Sequence, residues 1–242
     1  MLTKPPYIAR AQLANNVLQY EWDEWRVQDF YRPADDDLVK RLSVLSSRAN
    51  VAFTIAMGEW GVFRFEKVSD DPMPLQYLEA TWAGNIHAGY CHYIETDDDE
   101  WRGIVRGPLN IIMAIVIDIL WGYKEHCTPG ENPAWMSKLV EHILPDTTHF
   151  LDWREQVIVR LENHFLAPED DPDDLFEDKD YSGTPVPREL FNIDLPFDPS
   201  QTDTFLDNFL RSLDWKSNLF LRTPDELKEF SYIEGTPYRY NK

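Results

Sequence analysis

The run Pro108–Tyr123, PLNIIMAIVIDILWGY, constrains this chain more than any other stretch. Nearly every side chain in it is aliphatic or aromatic, so as a helix it is apolar on all sides and has to be enclosed by other helices. A bilayer span needs roughly 20 apolar residues; this run is shorter, and Asp118 interrupts it. The expectation is the central helix of a bundle rather than a membrane anchor. Pro108 suits the first helical position, where its missing N–H removes no bond.

The flanking segments carry apolar residues at intervals of three and four, the helical period. Leu18, Trp22, Trp25 and Phe30 predict a helix over 7–30, with the tryptophan pair as a core or docking face. A second helix is predicted over 36–68, opened by Asp35, Asp36 and Asp37 at its positive end and weakened at Gly58 and Gly61. Further helices are expected over 74–94, 133–144, 148–166 and 203–213, and Thr223-Pro224-Asp225-Glu226 has the form of a capping box. The class is therefore all-α, an irregular multi-helix bundle or a helical-hairpin stack. Residues 1–166 are expected as a helical core. Residues 167–201 form an acidic, Pro-rich excursion packed on it, and 202–242 are C-terminal helices and a tail completing the same domain.

Charge narrows the function classes. Asp and Glu number 43 against 23 Lys and Arg, a net of −20. A phosphate backbone is bound by clustered Lys and Arg, so direct nucleic-acid binding is not expected. A basic protein or a cation is the complementary partner. Between 167 and 201 eleven acids face only Lys179 and Arg188, which places nine of the twenty net charges in 35 residues. Apolar residues are interspersed there, among them Leu175, Phe176, Tyr181, Leu190 and Phe191. A tract made only for solvation lacks such residues, so the excursion is expected to be pinned to the bundle with its carboxylates outward. Two cysteines, Cys91 and Cys127, are too few for a disulfide framework, and the N-terminus lacks a signal-peptide pattern. Cytoplasmic residence, without a membrane association, is the expectation.

No nucleotide-binding, nucleophile-elbow or EF-hand motif is present. The best metal candidate is His87, Cys91, His92 and Glu95, because positions 87, 91 and 95 share one stripe if the segment is helical. The same residues read equally as a packed helix interface. Among Glu125, His126 and Cys127 at the end of the apolar helix, a cationic His126 fits the dipole there, and a Cys-His nucleophile lacks an orienting acid. Asp118 in the apolar run needs a partner if buried, with Arg102, Arg106, Arg154 and Arg160 as suppliers.

The leading expectation is a non-enzymatic, cofactor-free binding protein that neutralises a basic partner. Its most concrete form is a bacterial immunity protein that occludes the active-site cleft of a cognate toxin. In composition the chain resembles acidic inhibitors of that kind; it carries no family motif. The predicted partner-binding residues are Asp170, Asp171, Asp173, Asp174, Phe176, Glu177, Asp178, Asp180 and Tyr181, with Phe191 as a further aromatic anchor. The alternative is a metal-dependent enzyme of helical fold using His87, Cys91, His92 and Glu95.

Overall fold

In the computed structural model the described residues are 2–13, 15, 17–32, 35–93, 95, 100–122, 130–168, 182–229 and 238–240. Among them the secondary structure is helical and no strand is formed. The α-helices are α1 (Pro6–Arg10), α2 (Asp36–Leu42), α3 (Ser47–Arg64), α4 (Met73–Ile86), α5 (Gly103–Gly122), α6 (Glu131–Ile143), α7 (Thr148–His164), α8 (Thr202–Ser212) and α9 (Pro224–Leu227). Short 3-10 turns lie at Val27–Phe30, Ala88–Tyr90, Arg188–Phe191 and Pro199–Gln201.

The enclosed helix is α3, not the apolar run. Every residue from Ala49 to Arg64 is buried, and α3 packs against α4, α5 and α6. Its sequence hides this position because Asn50, Thr54, Glu59 and Arg64 are among the buried residues. Small residues make the enclosure possible. A Cβ on Gly61 would fall 2.4 Å from Ile112 Cδ1 of α5, so the helices meet where no side chain intervenes. Gly58 and Gly61 are therefore contact points rather than weak points.

α5 begins earlier than expected, which makes it 20 residues long with Pro108 inside it. It is thus long and apolar enough to cross a membrane, and 56% of that window is buried inside the protein. Asp118 is exposed and accepts a hydrogen bond from Asn132 Nδ2 at 2.9 Å. Three of the four arginines proposed for it act elsewhere: Arg106 pairs with Asp71, Arg154 with Glu141, and Arg160 with backbone carbonyls.

Three other helices end sooner than their periodicity suggests. Among the described residues of the 7–30 segment, α-helix is confined to α1 and a 3-10 turn to Val27–Phe30, and Arg64 of α3 donates to the carbonyls of Asn15 and Val17. The 36–68 segment divides at Val44–Ser46, because that stretch pairs with the end of α7 (Ser46 N–H to Phe165 O, 3.0 Å; Ala167 N–H to Val44 O, 2.9 Å). Asp35 caps α2 and Ser46 caps α3. α4 stops at Ile86, where His87 turns extended (φ −156°, ψ 121°). α6, α7, α8 and the capping box at Thr223 and Glu226 follow the sequence pattern closely.

Of the Pro-rich stretch after α7, residues 182–201 are described. Val186, Leu190 and Phe191 are buried, and Phe191 lies among Phe53, Trp82 and Trp153. Arg160 of α7 clasps this stretch by donating to the carbonyls of Leu190, Asn192, Ile193 and Leu195 at 2.8–3.3 Å. Arg188 reaches into the core instead. Its Nε and Nη2 donate to Glu59 Oε1 and Oε2 at 2.8 and 2.6 Å, while Trp82 Nε1 donates to Glu59 Oε1 at 2.7 Å. Burial alone pulls the guanidinium pKa down, but the Glu59 charge and hydrogen bonds hold it above its ordinary value. Tyr7 beside this pair has its phenol pushed well up, first by burial and then by Glu59.

A fork between a fully buried carboxylate and a guanidinium is costly to break from one side only. Glu59→Leu and Arg188→Met are each expected to lower unfolding free energy by about 3–5 kcal/mol. The double variant should lose clearly less than the sum, because its second substitution removes a charge already stranded. Urea midpoints of the four proteins check this.

Candidate functional site

The acidic residues that composition singles out, Asp170, Asp171, Asp173, Asp174, Glu177, Asp178 and Asp180 with Phe176 and Tyr181, lie outside the described residues. So do Asp97–Asp99 and Glu125–Cys127. Phe191, expected to stand among the acids as a binding anchor, is instead fully buried in the core. It takes no part in a surface.

The metal candidate comes apart once α4 ends at Ile86. His87 Nδ1 accepts the Gly89 N–H at 3.0 Å, and burial followed by the nearby Arg48 charge lowers the imidazole pKa. Cys91 is a buried free thiol whose Sγ donates to His92 O at 3.3 Å. Its neighbours pair with the segment before α9 (His92 N–H to Phe220 O, 2.9 Å; Arg222 N–H to Tyr90 O, 3.0 Å). His92 Nε2 lies 3.5 Å from Glu226, while Glu95 accepts from Tyr93 Oη at 2.9 Å. The shared helical stripe therefore does not form. Among the described residues, no group of three or more His, Cys, Asp or Glu side chains is placed to hold a metal ion.

A different site is assembled from the loop before the first 3-10 turn and the start of α5. A cleft of about 380 Å³ is lined by the indoles of Trp22, Trp25 and Trp101, by Gly107 and Ile111 of α5, and by Glu24. Aromatic packing holds the loop. Trp22 stacks on Phe30 (centroids 5.3 Å), and Phe30 stacks on His142 of α6 (4.6 Å). His142 Nε2 in turn meets Glu21 O at 2.7 Å, and Tyr20 Oη donates to Ile104 O. Glu24 accepts the Gly103 N–H at 2.5 Å, supplying a distant cap to α5. That backbone bond is the main cause holding the Glu24 carboxyl below its ordinary pKa.

Two details adapt the cleft to display an aromatic. A Cβ on Gly107 would fall 2.3 Å from Trp22 Nε1, so only glycine lets the indole lie against α5 there. Asp23 Oδ1 accepts the Trp25 N–H at 2.9 Å, and the Arg26 guanidinium forks onto Asp29 at 2.6 and 2.9 Å. This turn holds Trp25 with 95% of its surface in solvent. A large aromatic on a rigid turn offers contact area at little conformational cost.

The periodicity of 7–30 hid this site, since it suggested a helix that does not form. The alternation of acid and aromatic in Tyr20-Glu21-Trp22-Asp23-Glu24-Trp25 was its visible sign, together with Trp101 just before the Gly103 and Gly107 pair. A second cleft, of about 350 Å³ between residues 3–7, the Arg188–Phe191 turn and α8, is floored by an arginine already saturated by Glu59. Its chemistry is structural.

Burial pushes the Cys91 thiol up to about 12. The thiolate is the reactive form, and a raised pKa depletes it at every pH below that value. In a Cys127→Ser background, alkylation of Cys91 at pH 8 is expected to run at least about a hundredfold slower than a free thiol, accelerating only as pH approaches the shifted value. Mass-spectrometric labelling rates check this, and rapid labelling at pH 8 contradicts it.

Set against protein-family models, curated proteins and solved structures, the chain matches none of them.

Proposed function

We propose that this chain is a non-catalytic, cytoplasmic binding protein that neutralises a basic protein partner. The most concrete form is an immunity-type inhibitor whose carboxylates occlude the active-site cleft of a cognate bacterial toxin. One observation carries the reading: the described arginines are largely committed within the fold. Arg188 serves Glu59, Arg41 serves Glu155 and Glu162, and Arg154 serves Glu141. Arg64 and Arg160 hold backbone carbonyls and neutralise no carboxylate through those bonds.

Many of the described carboxylates lie on the outside of the molecule. Asp36, Asp37, Glu66, Asp70, Asp152, Asp198, Asp214 and Glu229 are all exposed. A surface of this kind steers a cationic partner by long-range attraction and disfavours acidic ones. A toxin that acts on nucleic acid needs a cationic cleft of its own, which such a surface complements.

The test is capture of the product of the adjacent gene by the purified chain. A one-to-one complex is expected whose association slows steeply with added salt, because attraction between exposed charges is screened. Converting Asp170, Asp171, Asp173 and Asp174 together to Asn should slow association by roughly tenfold at low ionic strength. An association rate indifferent to both changes contradicts electrostatic capture.

A further inference from the structure

The most apolar helix of the chain is bare along one face. In α5, Ile104 is 41% exposed, Ala114 and Asp118 are exposed, and Ile111 and Trp121 are half-buried. Positions 104, 111, 114, 118 and 121 fall on one side of a helix. Gly107 lies on that side too, and there Trp22 covers it. The tryptophan cleft and the bare face are thus one surface. At its far end Tyr93, 54% exposed, meets Trp121 edge-on with ring centroids 6.0 Å apart.

Carboxylates stand at both ends of this apolar strip. Glu21, Asp23 and Glu24 precede Trp25 and outnumber Arg102, the exposed cation lining the same cleft, while Arg26 is paired with Asp29. Asp118 lies on the face itself, and Glu95 is bonded to Tyr93. An apolar centre with a charged rim is the anatomy of a protein interface.

We propose that this strip, from Trp25 along α5 to Tyr93, is the docking surface for an amphipathic cationic segment of a protein, with apolar side chains at its centre and Lys or Arg at its edges. The proposal rests on the capture of a basic partner argued above and names where the contact is made. Charge selects the occupant. A second copy would set acids against acids on two chains each carrying −20, and a lipid surface offers no matching row of cations. A basic segment satisfies both the strip and its ends. The indole wall already accepts a guanidinium, since Arg106 lies 4.3 Å over the Trp101 ring. Cations are held there by the ring quadrupole, which leaves the exposed Trp25 to offer the same contact to a partner.

The test uses the full chain and two probes: a Leu/Lys amphipathic helical peptide of about 18 residues, a length α5 accommodates at about 1.5 Å per residue, and an oligolysine of equal charge. Binding is read by titration calorimetry at low salt for the parent chain, Trp25→Ala, Ile104→Ser and the control Leu219→Ser, whose side chain is 75% exposed before α9. These side chains are exposed, so the fold is expected to survive, and circular dichroism verifies it. The Leu/Lys peptide should bind one per chain, about tenfold weaker for Trp25→Ala and for Ile104→Ser and unchanged for Leu219→Ser. Oligolysine, which has no apolar side chains to seat, should bind more weakly and ignore Ile104→Ser and Leu219→Ser. If both peptides bind alike and no substitution matters, the docking surface is refuted while capture by charge stands. If neither binds, both fail. Dimerisation in sedimentation that Trp25→Ala abolishes, or flotation with zwitterionic vesicles, assigns the strip to another occupant and overturns the proposal.

Discussion

A carboxylate at the centre of a helix with no exposed face fixes how this protein can be assembled. Glu59 lies within α3, and a charge there needs a full set of partners because the surrounding medium solvates it poorly. Arg188 and Trp82 supply them from two other parts of the chain. The fork therefore ties the segment after α7 to the core helix and to α4, with the Thr3 carbonyl as a further acceptor. Alternative packings that place residues 186–191 elsewhere would leave Glu59 stranded. The pair thus specifies which surfaces meet as much as it holds them together.

Around that fork, two further arginines act on the backbone. Arg64 and Arg160 gather carbonyls from loops that have no regular ladder of their own, replacing the partners a helix or sheet would have provided. This is how the carbonyls of Asn15 and Val17 and the irregular stretch 190–197 are held to a helical body. Other arginines pair with acids at the surface, as Arg10 does with Asp194, Arg26 with Asp29 and Arg211 with Asp207.

The helical class and the later helices were legible in the sequence, because α6, α7 and α8 each have a single buried stripe and a clear stop. Their limits follow local chemistry, as with Pro145 after α6 and the capping box of α9. The middle of the chain was not. α3 carries buried polar residues, and Glu59 and Arg64 among them find partners distant in sequence, so its pattern resembles a half-exposed helix. α5 has the reverse disguise, being mostly apolar yet covered on one side only. Positions 87, 91 and 95 align only on a helix, and α4 stops at Ile86, just before they begin. The tryptophan cleft depends on Gly107, whose spacing means nothing until Trp22 is folded onto it.

The arginine clasps on carbonyl groups have a consequence for how the protein responds to its ionic surroundings. Dissolved ions weaken attraction between separated charges, while a guanidinium seated on several carbonyls at contact distance is little disturbed. The like-charge repulsion that strains a chain of this composition is relieved by the same ions. Ionic strength thus acts in opposite directions on the two tasks, firming the folded body while loosening its hold on an oppositely charged molecule. Release of a bound partner need not involve any unfolding of the chain that held it.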